Sequence, residues 1–138
     1  MKISVLVIAH NEERYIARCI ESILNQTKNA NEIILIAHNC TDRTEQIARS
    51  YSITVIPYSG SKGIIYARLN GLQHINGDII LCTDGDSYVA RNWIDEMVKT
   101  LNKGNVLVGS WMKLKGTFFG WLSNFFNWYY CIRSKNKI

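Results

Sequence analysis

Ile79-Ile80-Leu81-Cys82-Thr83-Asp84-Gly85-Asp86-Ser87 sets an apolar run against two carboxylates spaced one residue apart. A run of this kind reads as a strand covered on both faces, with its polar end where the strand leaves the sheet. Alternate residues of an extended segment point to the same side. Asp84 and Asp86 are therefore expected to converge on one hard cation, with Gly85 leaving room for a ligand's phosphates. An isolated Asp-Gly-Asp is more commonly a plain polar turn, so the surrounding sequence has to decide.

Outward from this stretch, apolar periods alternate between strand and helix. Lys2–Ala9 is a run rich in β-branched residues, and Tyr15, Ile16, Cys19, Ile20, Ile23 and Leu24 recur on one helical face. Glu32–Ala37 reads as a second buried strand. Asp42 with Glu45 three residues on gives a capping-box-like start to a helix through Ile47, Ala48 and Tyr51. Thr54–Tyr58 is a short third strand, Gly60–Gly63 a loop and Ile64–Ile75 a helix. After the Ile79–Thr83 strand, Trp93, Ile94, Met97, Val98 and Leu101 fall at helical spacing, and a further strand is expected near Val106–Lys113. This alternation predicts an α/β, three-layer, Rossmann-like domain with a mainly parallel sheet. Open sheets of that kind bind ligands beyond the carboxyl ends of their strands. Four polar clusters fall at those ends: His10-Asn11-Glu12, His38–Asp42, Ser59–Gly63 and Asp84–Ser87. They are expected to share one crevice.

A chain of 138 residues with 47% apolar content is long enough for one domain with a sizeable core. The start of the chain lacks the apolar core and cleavage site of a secretory leader, which predicts a cytoplasmic location. Cys19, Cys40, Cys82 and Cys131 show no Cys-x-x-Cys pair, so reduced, packed thiols are expected rather than a zinc site or disulfides. Asn25-Gln26-Thr27 and Asn39-Cys40-Thr41 match the glycosylation acceptor pattern, read here as coincidence. Charge is unevenly distributed. Residues 1–96 hold nine Lys/Arg and all eleven Asp/Glu, whereas residues 97–138 hold seven Lys/Arg and no acid. The basic end favours anionic partners such as lipid headgroups or a phosphorylated substrate.

Three motifs, in order and in register, resemble the family 2 glycosyltransferases of type A fold: Val7–Glu13, Asn39–Thr44 and Thr83–Ser87 with its Asp-x-Asp. Ser61-Lys62-Gly63 followed by Ala67-Arg68 also resembles the family's segment ahead of the metal motif. The resemblance covers roughly residues 1–100. It implies a nucleoside-diphosphate sugar of UDP or GDP type lying across the strand ends. By that analogy Ala9, His10, Asn11 and Glu12 border the nucleoside, His38 and Asn39 face the base, and Lys62, Gly63 and Arg68 approach the nucleotide. Asp84 would contact ribose or metal, and Asp86 would ligate Mg²⁺ or Mn²⁺, which suit all-oxygen donors. The family's acidic pair is replaced by Ala37-His38, which leaves the base preference open. No Asp or Glu follows Glu96, so the general base of inverting members has no counterpart. The resemblance therefore implies a donor-binding half, truncated on the acceptor side: residues 1–113 as the donor domain and 114–138 as the start of an acceptor-side or membrane-contacting segment.

In that last segment Phe118, Phe119, Leu122, Phe125, Phe126, Tyr129 and Tyr130 share a helical face, flanked by Lys113, Lys115, Arg133, Lys135 and Lys137. Two roles are open to it, packing inside a longer domain or lying on an anionic membrane surface. The run is shorter than the ~20 residues needed to span a bilayer. An unpaired face of this kind predicts homo-oligomerisation or association through the aromatic helix. Function thus has two readings of different class: a glycosyltransferase acting on a lipid or glycan acceptor, and a non-catalytic nucleotide-sugar-binding module. A phosphatase-like site with Asp84 as nucleophile lacks later acidic strand ends, and nucleic-acid binding lacks a recognisable module.

Overall fold

The computed structural model describes residues 1–101, 107–110 and 129–133. Its elements run β1 (Ile3–Ala9), α1 (Ile16–Leu24), β2 (Glu32–His38), α2 (Thr44–Ala48), β3 (Thr54–Tyr58), α3 (Ile64–Leu72), β4 (Ile79–Asp84), α4 (Trp93–Leu101), β5 (Leu107–Ser110) and β6 (Tyr129–Arg133). They form one six-stranded sheet in the order β3-β2-β1-β4-β6-β5. β1 pairs in parallel with both β2 and β4, and β2 with β3. The first strands step outward from β1 through β2 to β3, and β4 then returns to the other side of β1. That reversal opens a crevice at the carboxyl ends of β1 and β4.

Every residue of β1 is buried, as its central place between two parallel neighbours demands. Val5, Val7 and Ala9 face a core with Ile16, Ile20, Ile23, Leu81 and Ile94, built against α1 and α4. Leu6 and Ile8 face the opposite layer with Ile34, Ile36, Ile80 and Ala67 of α3. α3 sits on the sheet through its smallest residues. Gly71 approaches so closely that an added Cβ would lie 2.5 Å from Leu6 Cδ1. Only Ala67 and Gly71 of α3 are buried, and Ile65 and Leu69 stand more than half exposed.

Two sequence expectations are corrected and one is extended. The aromatic segment's end is not helical, since Tyr129–Arg133 forms β6, antiparallel to β4 with Leu81 opposite Cys131. Pairing there hydrogen-bonds the otherwise open edge of β4, and a Tyr-Tyr-Cys-Ile run is well suited to a strand. The remainder of the expected helix, residues 118–128, lies outside the described residues. The late strand is confirmed at Leu107–Ser110, but it pairs antiparallel to β6, so the sheet is parallel only through its first four strands. Third, α2 does not start with a capping box. The Asp42 carboxylate accepts from the Thr44 amide at 2.9 Å, and Glu45 turns away to pair with Arg49 at 2.7 Å. Among the described residues no helix is long and apolar enough to cross a membrane.

Candidate functional site

Two strand-end loops are tied to each other before either meets the crevice. β1 and β2 are each followed by an asparagine in the left-handed region: Asn11 at φ 56°, and Asn39 at φ 48°. This conformation lets the chain turn out of the sheet, and Asn tolerates it better than most residues. The Asn11 side-chain oxygen accepts from the Thr41 amide at 2.7 Å. Thr44 Oγ1 accepts from the Glu12 amide at 2.7 Å, and Asp42 accepts from the Glu13 amide at 3.0 Å. Asn11, Asp42 and Thr44 thus hold the first loop against the second. Slight burial raises the Asp42 carboxyl, but bonds from the Thr44 hydroxyl and amide and from the Glu13 amide outweigh it and draw the pKa below the ordinary range. Stability from a depressed carboxyl is present above its unfolded pKa and fades as pH falls through the folded one. Asp42→Ala is expected to cost about 1–2 kcal/mol near neutrality, and thermal melts should show the difference shrinking below about pH 4.

Of the two motif aspartates only Asp84 belongs to the strand, and Asp86 lies beyond its end. β4 ends at Asp84, and the Ser87 amide donates back to the Asp84 carbonyl at 3.1 Å, closing a four-residue turn. Convergence of Asp84 and Asp86 comes from that turn, not from strand alternation. Gly85 also has a different reason from the one its sequence suggested. A Cβ there would lie 2.8 Å from Ala9 Cβ and 3.3 Å from Ile16 Cδ1, so the space it spares is filled by the neighbouring strand rather than by phosphates. The Gly85 amide donates to the Ile8 carbonyl at 2.7 Å, which fixes the turn to the end of β1.

The two aspartates differ in partners. Arg68, from α3, donates to Asp84 at 2.9 Å, and its Nε is buried without a hydrogen bond. Asp86 has no cationic partner among the described residues; it accepts only a long hydrogen bond from the Ser87 hydroxyl at 3.4 Å. Glu12 faces the same space, and its pKa is raised by burial first and then by repulsion from Asp86, Asp42 and Asp84. A raised carboxyl stabilises the fold only below its unfolded pKa and opposes it once ionised. Glu12→Gln should therefore stabilise the fold at pH 7 in the absence of metal by about a few tenths of a kcal/mol after solvent screening, read as a slightly higher melting temperature. A lower melting temperature would contradict this account of Glu12.

These groups line one crevice of about 800 Å³ together with Ile8, His10, His38, Asn39, Gly60, Lys62, Gly63 and Ile64. Its volume lies within the usual range for small-molecule sites. The four polar clusters do meet there. Of the residues singled out from sequence, His10, Glu12, His38, Asn39, Lys62, Gly63, Asp84 and Asp86 line it. Ala9 is buried beneath Gly85, Asn11 is engaged with Thr41, and Arg68 reaches the site only through Asp84. Ile8 and Ile64 line the crevice without having been singled out. Gly63, at φ 120°, starts α3 in a conformation suited to glycine.

The donor set fits a divalent cation. Among the described residues no three His, Cys, Asp or Glu side chains form a metal cluster, so the protein offers Asp86, with Asp84 or Glu12 beside it. Mg²⁺ and Mn²⁺ are commonly held by one or two carboxylates, with substrate phosphates completing the shell. The raised pKa of Glu12 marks the same place as one where a cation would relieve repulsion.

Fold and crevice together define a type A glycosyltransferase domain. A glucosyl-3-phosphoglycerate synthase from Mycobacterium tuberculosis, solved with Mn²⁺, UDP and phosphoglyceric acid, superposes with a TM-score of 0.77 at 22% identity, over 96% of this chain and 55% of that one. A mannosyltransferase from Pyrobaculum calidifontis, solved with GDP-Man and Mn²⁺, superposes at 0.76 with 23% identity, over 96% and 44%. Residues 4–137 match Glycosyl transferase family 2, and the chain belongs to that family. The Bacillus subtilis glycosyltransferase EpsJ is 37% identical over 93 residues, which are 64% of this chain and 27% of EpsJ. The chain thus spans about a quarter of EpsJ's length.

Proposed function

We propose that the crevice binds a nucleoside-diphosphate sugar together with Mg²⁺ or Mn²⁺, and that the chain is the donor-binding part of a hexosyltransferase acting on a lipid or glycan acceptor. The observation that carries this reading is the asymmetry of the metal motif, with Asp84 neutralised by Arg68 while Asp86 has no cation within reach among the described residues. In this reading Asp86 ligates the metal, and Asp84, held by Arg68, faces the ribose or the metal. A divalent cation bound there neutralises the charge that develops on the departing diphosphate. His10, Glu12, His38 and Asn39 enclose the nucleoside, Lys62 and Gly63 approach the phosphates, and Ala9, Asn11 and Arg68 hold the loops in place. The solved structures with UDP and with GDP-Man support a donor of this class.

Within this reading residues 1–113 carry the donor site, and residues 114–138 begin the acceptor-side or membrane-contacting portion. Calorimetry with UDP and GDP sugars, with and without Mn²⁺, tests the proposal; no metal-dependent binding across the panel would refute it. A second reading is a binding module without turnover. Transfer of a labelled sugar to lipid or glycan acceptors by the purified chain would exclude it. Association through the aromatic segment predicts a species larger than a monomer on a sizing column at micromolar concentration.

A further inference from the structure

We propose that His10 reads the nucleobase through a bare Nε2 that accepts a hydrogen bond from a base ring N–H, while the His38 side chain acts only on the loops around it. This rests on the donor reading above and adds the class of base. The crevice lining falls into two chemically different groups. Glu12 feels the charges of Asp84 and Asp86, while the His10 and His38 rings lie 6.0 Å apart and Asn39 bonds to His38 and Gly60. A metal-bound diphosphate belongs with the carboxylates. A base, with apolar faces and a polar edge, belongs with the rings.

In that second group the two histidines have different freedoms. His38 is only 6% exposed and stacks on Tyr58 with ring centroids 5.6 Å apart. Its Nε2 lies 3.0 Å from the Ser61 carbonyl and 2.9 Å from Asn39 Nδ2. Protonated, that nitrogen donates to Ser61; bare, it accepts from Asn39. Either tautomer uses it within the protein. Asn39 also donates to the Gly60 carbonyl at 3.2 Å. His38 and Asn39 together therefore hold the Gly60–Gly63 loop.

His10 is exposed, and its Nδ1 lies 2.7 Å from the His38 backbone carbonyl. A carbonyl can only accept, so Nδ1 carries the proton. In the neutral ring this leaves Nε2 as a lone-pair acceptor. No partner occupies Nε2 among the described residues, and the ring lines the crevice. The tautomer is set by a backbone atom and does not depend on the ligand. Uracil and thymine offer N3–H to such an acceptor, and guanine offers N1–H. Cytosine and adenine offer a bare ring nitrogen at the corresponding edge, so lone pair would face lone pair.

The test compares UDP with CDP, which share every phosphate and ribose atom, by calorimetry on the full chain in the presence of Mn²⁺. UDP is expected to bind at least roughly tenfold more tightly. In His10→Phe, which keeps a ring but no acceptor, the UDP-to-CDP ratio should fall to within about twofold. In His38→Phe, which keeps the backbone carbonyl, both affinities should drop while the ratio survives. Equal binding of UDP and CDP by the parent chain, or an unchanged ratio in His10→Phe, would overturn the inference and leave the donor reading intact. Where GDP alone binds, the same comparison runs between GDP and ADP, with GDP expected to be the tighter; binding of none of these nucleotides would overturn the donor reading and the inference with it. Nitrogen-detected NMR of the unliganded parent supplies a check that needs no variant: the His10 proton should sit on Nδ1, and the opposite tautomer would overturn the inference.

Discussion

Asp86→Ala should abolish the Mn²⁺-dependent part of donor binding, weakening UDP-sugar affinity by ~100-fold or more, because even groups one shell behind a metal ligand are worth 10- to 100-fold. The same substitution should leave the metal-free fold as stable as the parent or slightly more so. Asp86 makes one long contact to Ser87 and raises the pKa of Glu12, so its loss relieves repulsion and removes little else. These opposite signs separate a metal ligand from a structural turn residue. Calorimetry across a Mn²⁺ series and a thermal melt without metal measure the two effects. Equal Mn²⁺ dependence in parent and variant would remove Asp86 from the metal site. A large drop in stability would return the motif to the status of a plain turn.

Gly85→Ala carries the second large effect, and it acts through packing. The added Cβ would meet Ala9 Cβ at 2.8 Å, Ala9 Cα at 3.2 Å and Ile16 Cδ1 at 3.3 Å. Ala9 has no rotamer with which to give way, and the Gly85 amide is already bound to the Ile8 carbonyl. The ends of β1 and β4 must therefore separate, at about 1–3 kcal/mol for an overpacked methyl, or a melting temperature lower by roughly 5–10 °C for a domain of this size. Because Asp84 and Asp86 flank the displaced residue, metal-dependent binding should weaken in the variant that remains folded. A melt that overlays the parent's would show that the contact relaxes freely.

Much of this architecture is legible from local pattern. Continuous apolar runs at Ile3–Ala9 and Ile79–Thr83 can only be satisfied by cover on both faces, which requires a parallel sheet sandwiched by helices. The polar clusters that interrupt those runs then fall at one end of the sheet, and all four meet in the crevice. Family membership was likewise legible in three short motifs read in register. Less legible were the roles of residues within those motifs. Asn11, expected beside the nucleoside, also ties its loop to Thr41. Thr44 belongs to the second motif, but its role there, accepting a hydrogen bond from the Glu12 amide, is not legible from it. A hydrogen bond between loops thirty residues apart leaves no period in the sequence. The aromatic segment misled for a related reason, since Tyr129–Arg133 satisfies either period until an unpaired strand edge selects one.

Sequence by itself determined the alternation of elements, the end of the sheet at which the polar residues gather, and the types of side chain available there. Tertiary structure decided which of those side chains remain free. Arg68 reaches across to Asp84 and leaves Asp86 without a cation; the His38 ring is engaged with Ser61 and Asn39, while its carbonyl holds His10 with one nitrogen open. The division has a physical origin. Period and composition report how one segment meets its own environment, whereas the availability of a charge or a lone pair depends on partners that only folding brings within hydrogen-bonding distance.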